Sequence, residues 1–364
     1  MATTLHADHV GSLLRPPELI EARRQQAAGK ISAAQLTEAE DAAILKALEL
    51  QKQAGIEIFT DGEYRRETFL DPLTQGMEGL TRHEAPADAR GRRWQGPNAA
   101  VAEAAVEEFD RFMVTTVAGR LRRTGRLTGV EAAFMAAKAP GPWKITMPGP
   151  MLRAVQMFRP GVSDRAYGSP AAVALDMASL MADEVRELAQ DGASYFQLDS
   201  LLYVRPQPPE ELNASIEADN IVLDAAKAAG LTVGLHMCRG NNRSSWLSEG
   251  SYEPCAEEAF SRLHADRFLL EYDTERAGGF EPLRFMPKGK VVVLGLISSK
   301  GPALEPIDSL QRRIDEASRY VAAEDLAISP QCGFASSLLG NLLSWDEQRR
   351  KLELVVEMAR KVWG

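Results

Sequence analysis

Cysteine is scarce in this chain of 364 residues, which carries only Cys238, Cys255 and Cys332. Three thiols are too few, and odd in number, for a disulfide framework. Each is left to serve as a core residue or a ligand, which fits a reducing, cytoplasmic setting. Positive charge is also short, 42 Lys and Arg against 51 Asp and Glu, for a net charge of −9. Without a basic stripe to neutralise phosphates, nucleic-acid partners are excluded. No stretch approaches the ~18 to 20 continuous apolar residues of a membrane span. The opening residues Met1 to His9 lack the basic and apolar regions of a secretory leader. What remains is 45% hydrophobic and 26% charged, ordinary globular composition sufficient for one large domain or two medium ones.

Eight short segments read as strands: 5–12, 57–63, 144–150, 195–203, 232–238, 267–273, 290–298 and 326–334. Several are near-continuous apolar runs, the pattern of strands covered on both faces. Stretches with apolar residues at helical spacing lie between most of them, over 35–54, 171–191, 210–229, 304–323 and 344–362. Alternating strands and helices imply parallel strands joined by right-handed crossovers. Eight of them predict an α/β fold, a (β/α)8 TIM barrel in a single domain spanning 1–364. Residues 64–143 are expected to form an insertion over the barrel mouth, between the second and third strands. Helical pattern is expected there around 98–117, and the arginines of 119–126 read as a solvated face.

In such a barrel, chemistry sits at the C-terminal ends of the strands. Those ends are polar here: His9 to Ser12, Asp61 to Arg66, Asp199-Ser, His236-Met-Cys238, Glu271-Tyr-Asp273, Ser298-Ser-Lys300 and Gln331-Cys332-Gly. His236 and Cys238 stand two apart on one strand, so both side chains face the same side. Together with Glu271 and Cys332 they make a coherent tetrahedral Zn2+ site. Two thiolates and a carboxylate donate strongly, leaving the metal a poor activator of water. The set suits holding a substrate thiol as thiolate, since a free thiol of pKa ~8.5 is mostly protonated at neutral pH. Glu271 is the weakest donor for a soft metal and the one expected to loosen. Cys255, in a probable crossover helix, reads as structural.

His236-Met-Cys238, the Glu ending strand six and Pro330-Gln-Cys332-Gly resemble the motifs of cobalamin-independent methionine synthase, most closely its short single-barrel relatives. The likeness runs nearly the full length. It implies a zinc-dependent S-methyltransferase that converts homocysteine to methionine, with His236, Cys238, Glu271 and Cys332 as zinc ligands. The family's Ile-Gly-Ser turn is similar to Val10-Gly11-Ser12, implying a seat for the amino-acid carboxylate. Its acidic partners for the amino group look like Glu63 and Asp199, and Arg66 joins the substrate-binding candidates. Two positions depart from the pattern. Gln156 stands where the large enzyme stacks its folate on tryptophan, and Ser298 where it carries a catalytic histidine. Neither substitutes for what it replaces. The donor is therefore left open among folate, a corrinoid protein or another methyl source. Asp199, Ser298, Lys300 and His9 are the candidate catalytic residues, with Tyr203 and Arg66 as further sources of a proton or an anion contact. A homo-oligomer is also left open.

Two other functions compete. The short-barrel branch also resembles epoxyalkane:coenzyme M transferases, in which Arg65 and Arg66 would hold a sulfonate. A non-catalytic barrel with structural zinc is the third, disfavoured because structural ligands usually come as closely spaced pairs in small modules.

Overall fold

The computed structural model describes residues 5–83, 94–109, 114–205 and 207–364. An antiparallel hairpin, β1 (Met77–His83) and β2 (Val114–Arg123), precedes a six-stranded parallel sheet. The sheet runs β3 (Lys144–Pro148), β4 (Tyr195–Ser200), β5 (Thr232–Met237), β6 (Arg267–Glu271), β7 (Val291–Ile297) and β8 (Leu326–Pro330), in chain order. These match six of the eight expected strands, with shorter C-terminal ends. The remaining two staves are irregular. Ala7 bridges Ile328 of β8 and Phe59 bridges Trp143 beside β3, both in parallel sense. Between them, Leu13 N–H donates to the Gly62 carbonyl (3.1 Å) and Thr60 Oγ1 to the Gly11 carbonyl (2.7 Å). Side chains thus do much of the work of a ladder here, and the (β/α)8 ring is completed without full strands. Positive φ at Gly11, Gly62 and Glu63 explains the irregularity, because a left-handed residue ends a strand.

The helices are α1 (Pro17–Ala27), α2 (Ala33–Ala54), α3 (Ala99–Phe109), α4 (Gly129–Lys138), α5 (Pro150–Met157), α6 (Pro170–Gln190), α7 (Pro209–Ala228), α8 (Glu253–Arg262), α9 (Ile307–Ala317) and α10 (Trp345–Trp363). Capping boxes open α2 (Ser32 with Gln35) and α10 (Ser344 with Glu347), and Gly55 in the left-handed region closes α2. Two helices are shorter than their periodicity suggests. Pro306 disfavours helical backbone at Glu305, so α9 begins only at Ile307. Helical pattern over 98–117 also overran: α3 ends at Phe109 and β2 has begun by Val114.

Alternation along the strands sorts the interior. Phe196, Leu198, Val233, Leu235, Phe268, Leu270, Val292, Leu294 and Ile328 face the helices and form the main core. Val10, Leu269, Val293 and Ala327 form a small separate cluster inside the ring. Below it lies a buried polar plug. Lys144 Nζ donates to Asp8 Oδ1 (2.8 Å) and Gln197 Oε1 (2.8 Å), while Arg267 Nη2 pairs with Asp8 Oδ2 at 3.2 Å. Above it, at the C-terminal ends, stand Asp199, His236 and Glu271.

The arginines of 119–126 form a solvated face only in part. Arg123 and Arg126 reach the fully buried Glu184 of α6, at 3.1 Å each, and Leu127 N–H and Thr128 Oγ1 also donate to it (2.9 and 2.8 Å). Arg120, over the Tyr167 ring, and Arg122, paired with Glu78, remain exposed. Burying an unpaired carboxylate would be prohibitive, so Glu184 recruits the cations the sequence had placed outside.

Candidate metal centre

Three donors converge at the open end of the ring. His236 Nε2 (or Nδ1), Cys238 Sγ and Cys332 Sγ all lie within 4.8 Å of one another, and all three residues are buried. Zinc–sulfur bonds of ~2.3 Å and zinc–nitrogen bonds of ~2.0 Å put donors around one ion roughly 3.5 to 3.8 Å apart. The cluster is therefore close to closing on a single cation. Strand geometry does the placing: Gly234 and His236 face the ring interior, and Cys238 follows one pleat later. Imidazole orientation is fixed as well. His236 Nδ1–H donates to the Leu269 carbonyl of β6 at 3.0 Å. A carbonyl only accepts, so the lone pair is on Nε2, which is buried and hydrogen-bonded to nothing among the described residues. A deeply buried acceptor without a partner calls for a cation. Hydrogen bonding from Cys238 and burial push the Cys332 thiol well above the ordinary range, a penalty that a bound cation reverses.

Glu271 is not brought into this cluster. It ends β6, fully buried, but its Oε2 accepts Arg239 N–H (2.6 Å) and its Oε1 meets Arg276. Burial opposes its charge, yet Lys300, Arg276 and Arg239 together hold its carboxyl below the usual range. Cationic neighbours on its own rim have captured it.

Beside His236 lies a group of buried carboxylates that are only partly satisfied. Asp199 is level with His236 in the β4–β5 register. Burial and the nearby Glu63 raise its carboxyl to about 7, against the pull of His236, while Gln197 Nε2 donates to Oδ1 at 2.7 Å. Glu63 is held in left-handed backbone (φ 60°) because Asp61 Oδ1 accepts its N–H (2.9 Å), an Asx turn. Thr146 Oγ1 donates to Glu63 Oε1 at 2.7 Å, and Glu63 Oε2 and Asp61 Oδ2 are buried with no hydrogen bond. A Cβ on Gly11 would stand 3.4 Å from Glu63 Oε1, so the Val10-Gly11-Ser12 turn lies directly against that carboxylate. Ser12 in turn packs on Gly333, and its carbonyl accepts Phe334 N–H at 2.9 Å. Turn, carboxylates and the Cys332 loop are thereby one surface.

Other expected residues are placed differently. Arg66 has its donors committed: Nε and Nη2 to Glu131 (2.8 and 2.7 Å), Nη2 to the Thr146 carbonyl (3.0 Å) and Nη1 to Thr146 Oγ1 (3.1 Å). It holds Glu63 both directly, with Nη1 3.7 Å from Oε1, and through Thr146. His9 Nε2–H donates to the Ile58 carbonyl (3.0 Å), and burial with Lys144 nearby lowers its imidazole to about 4, so it is neutral. Ser298 Oγ accepts Lys300 N–H (3.3 Å), and Lys300 Nζ donates to Asn241 Oδ1 (3.1 Å). Gln156 on α5 is held by Arg153 (2.7 Å), and Tyr203 donates to Asp219 (2.7 Å). Sequence reasoning missed Asn241, Ser336, Asp61 and Thr146. Only Asp61 carried a signal, as the first residue of the polar strand end Asp61 to Arg66.

A parallel ring with two thiols, an imidazole and buried carboxylates on its C-terminal rim defines a barrel enzyme built around a thiol-rich donor cluster. The family model described as the catalytic domain of cobalamin-independent synthase matches residues 154–361. The protein YxjH of Bacillus subtilis, carried as uncharacterized, is 35% identical over 98% of this chain and 94% of its own length. A methionine synthase of Pyrococcus abyssi is 25% identical over 89% of this chain and 84% of its own. Among solved structures, the putative vitamin-B12 independent methionine synthase from Listeria monocytogenes superposes with a TM-score of 0.74 at 26% identity, covering 100% of this chain and 99% of that one. The chain belongs to the cobalamin-independent methionine synthase family and is a methyltransferase.

Proposed function

We propose that the chain transfers a methyl group to the sulfur of homocysteine, giving methionine, and that its donor cluster holds zinc. The observation that carries this is the buried His236 Nε2, without a hydrogen bond, beside Cys238 and Cys332, with the free Oε2 of Glu63 and the carboxyl of Asp199 on the same rim. Bound there, Zn2+ would supply acidity to a substrate thiol, holding it as thiolate at neutral pH. His236, Cys238 and Cys332 would hold the ion, and Glu271 would join as fourth ligand on turning from Arg276 and Arg239. The chain's other residues position the amino acid. Glu63 Oε2 and Asp199 would take its ammonium, which stays in water unless paired carboxylates receive it. Val10, Gly11 and Ser12 would take its carboxylate through backbone N–H and hydroxyl donors. Arg66 and Thr146 keep Glu63 in place, and such fixed geometry is the larger part of what a protein adds to an in-line transfer.

Methyl donor choice turns on the same rim. With Gln156 and Ser298 at the divergent positions, Lys300 stands on the same rim, bonded to Asn241 at 3.1 Å, and a folate, a corrinoid protein or another source would meet it there. The coenzyme M alternative is unsupported, because Arg65 pairs with Glu40 and Asp41 and Arg66 with Glu131, leaving neither for a sulfonate. We read residues 1–364 as one barrel domain with 64–143 inserted at its mouth. The Gln95–Trp246 bridge to the loop after β5 supports that reading.

Metal analysis of purified protein, with turnover of homocysteine and coenzyme M compared under identical conditions, tests the proposal. About one zinc per chain and turnover of homocysteine alone are expected. Cys332→Ser should lose zinc and at least ~100-fold of the activity together; full activity in that variant would refute the coordination.

A further inference from the structure

Three loops meet at the carboxamide of Asn241, three residues beyond Cys238. Asn241 Nδ2 donates to the Gly333 carbonyl (2.7 Å), the residue after Cys332, and to Ser336 Oγ (3.3 Å). Its Oδ1 accepts from Asn341 Nδ2 (2.9 Å) and from Lys300 Nζ (3.1 Å). Two donors and two acceptor sites exhaust what an amide offers. Orientation is fixed too, since a flipped amide would turn its NH2 against the Lys300 ammonium and the Asn341 amide. Asn341 is anchored in turn on the Ser299 carbonyl (2.7 Å), and Ser299 Oγ donates to Gln331 Oε1 (2.7 Å), one residue before Cys332. Asn241, Asn341, Ser299 and Gln331 are all buried. The last link reaches sulfur: Ser336 Oγ lies 4.0 Å from Cys332 Sγ. Because Ser336 accepts from Asn241, its own hydrogen is free to point at that sulfur.

We propose that Asn241 is a positioning residue that sets the spacing of Cys238 and Cys332 and, through Ser336, directs a hydrogen bond onto the Cys332 sulfur. The inference rests on the reading of the cluster as a zinc site. Its chemistry is that of an outer layer of hydrogen bonds around a metal, where loss of one partner costs about 10- to 100-fold in metal affinity. It also gives the β5 and β8 loops a shared clamp, so that neither thiol can move without the other.

The test is zinc affinity by chelator competition, with the thiolate-to-cobalt absorption of the Co2+-loaded protein as a second readout, on wild type, Asn241→Ala, Asn241→Asp and Ser336→Ala. Asn241→Ala is expected to weaken zinc binding about 10- to 100-fold and to shift the cobalt spectrum while the fold persists. Asn241→Asp keeps the acceptors for Lys300 and Asn341 but cannot donate, and should fall with Asn241→Ala. Ser336→Ala removes one hydroxyl from a half-buried position and should weaken binding at least threefold; it decides the matter if the Asn241 variants do not fold. Affinities within twofold of wild type and an unchanged spectrum in all three variants would overturn the inference. A wild type that binds no zinc would overturn the zinc reading itself, and the inference with it.

Discussion

At the residue scale, orphaned buried atoms mark the chemistry. His236 Nε2, Glu63 Oε2 and Asp61 Oδ2 are buried with nothing to bond, and unsatisfied polar atoms of that kind cost about 1 to 3 kcal/mol each. Such a cost persists where a ligand relieves it. Glu63→Gln keeps the acceptor for Thr146 but loses the charge that would face the substrate ammonium. Its KM for homocysteine should rise about 10- to 100-fold with a smaller change in kcat, read from initial rates. Asp219 offers a separate pH signature. Burial raises its carboxyl to about 7, against the Tyr203 hydrogen bond, while an unfolded chain releases that proton near 3.8. The native state therefore binds more protons between those values. Stability from this group is greatest below about pH 4, is lost as pH rises toward 7, and changes no further above it. Unfolding free energies from urea titrations across that window should fall more steeply with pH for wild type than for Asp219→Asn, by up to about 1.4 kcal/mol per pH unit.

Elements differ in how plainly the sequence announces them. Strands β3 to β8 were legible because their outward faces are apolar, and α2, α6 and α10 because apolar spacing and a serine N-cap agree; α7 was legible from spacing alone. The first two staves were legible as positions but not as conformations, since side chains of Thr60 and His9 replace ladder bonds that periodicity cannot foresee. The hairpin β1–β2 escaped altogether. Its bulge at Gly79, where any Cβ would collide with the Arg120 carbonyl, breaks the alternation that would have exposed it. Glu184 of α6 ties that hairpin to the barrel. Glu184→Ala leaves Arg123 and Arg126 to Glu187 and Asp191 but leaves Leu127 N–H and Thr128 without their buried acceptor, and should cost about 1 to 3 kcal/mol, measured as a fall in urea midpoint. Amide exchange should rise first over 114–128, because those residues lose their anchor.

For the whole molecule, the question is whether the barrel needs its donor cluster. The core packed between sheet and helices is extensive, and the plug of Asp8, Lys144, Gln197 and Arg267 closes the ring's other end without any metal. Stripping metal with a chelator should therefore leave far-UV circular dichroism intact and lower the melting temperature by a few degrees, the ligand's linkage contribution alone. Global unfolding on chelation would instead mark the site as structural.

By itself, the sequence determined the order of β3 to β8 and of the long helices α2, α6, α7 and α10, the donor residues at strand ends and the family, because covalent spacing and periodicity carry all three. Whether those donors meet was decided by the closed sheet, which brings Cys238 and Cys332 together across 94 positions. Tertiary structure also decided that Arg66 braces instead of binding, that His9 stays neutral and that Glu271 rests on Arg276. Those outcomes depend on which charges come to share a buried volume, and no local pattern in the chain encodes that.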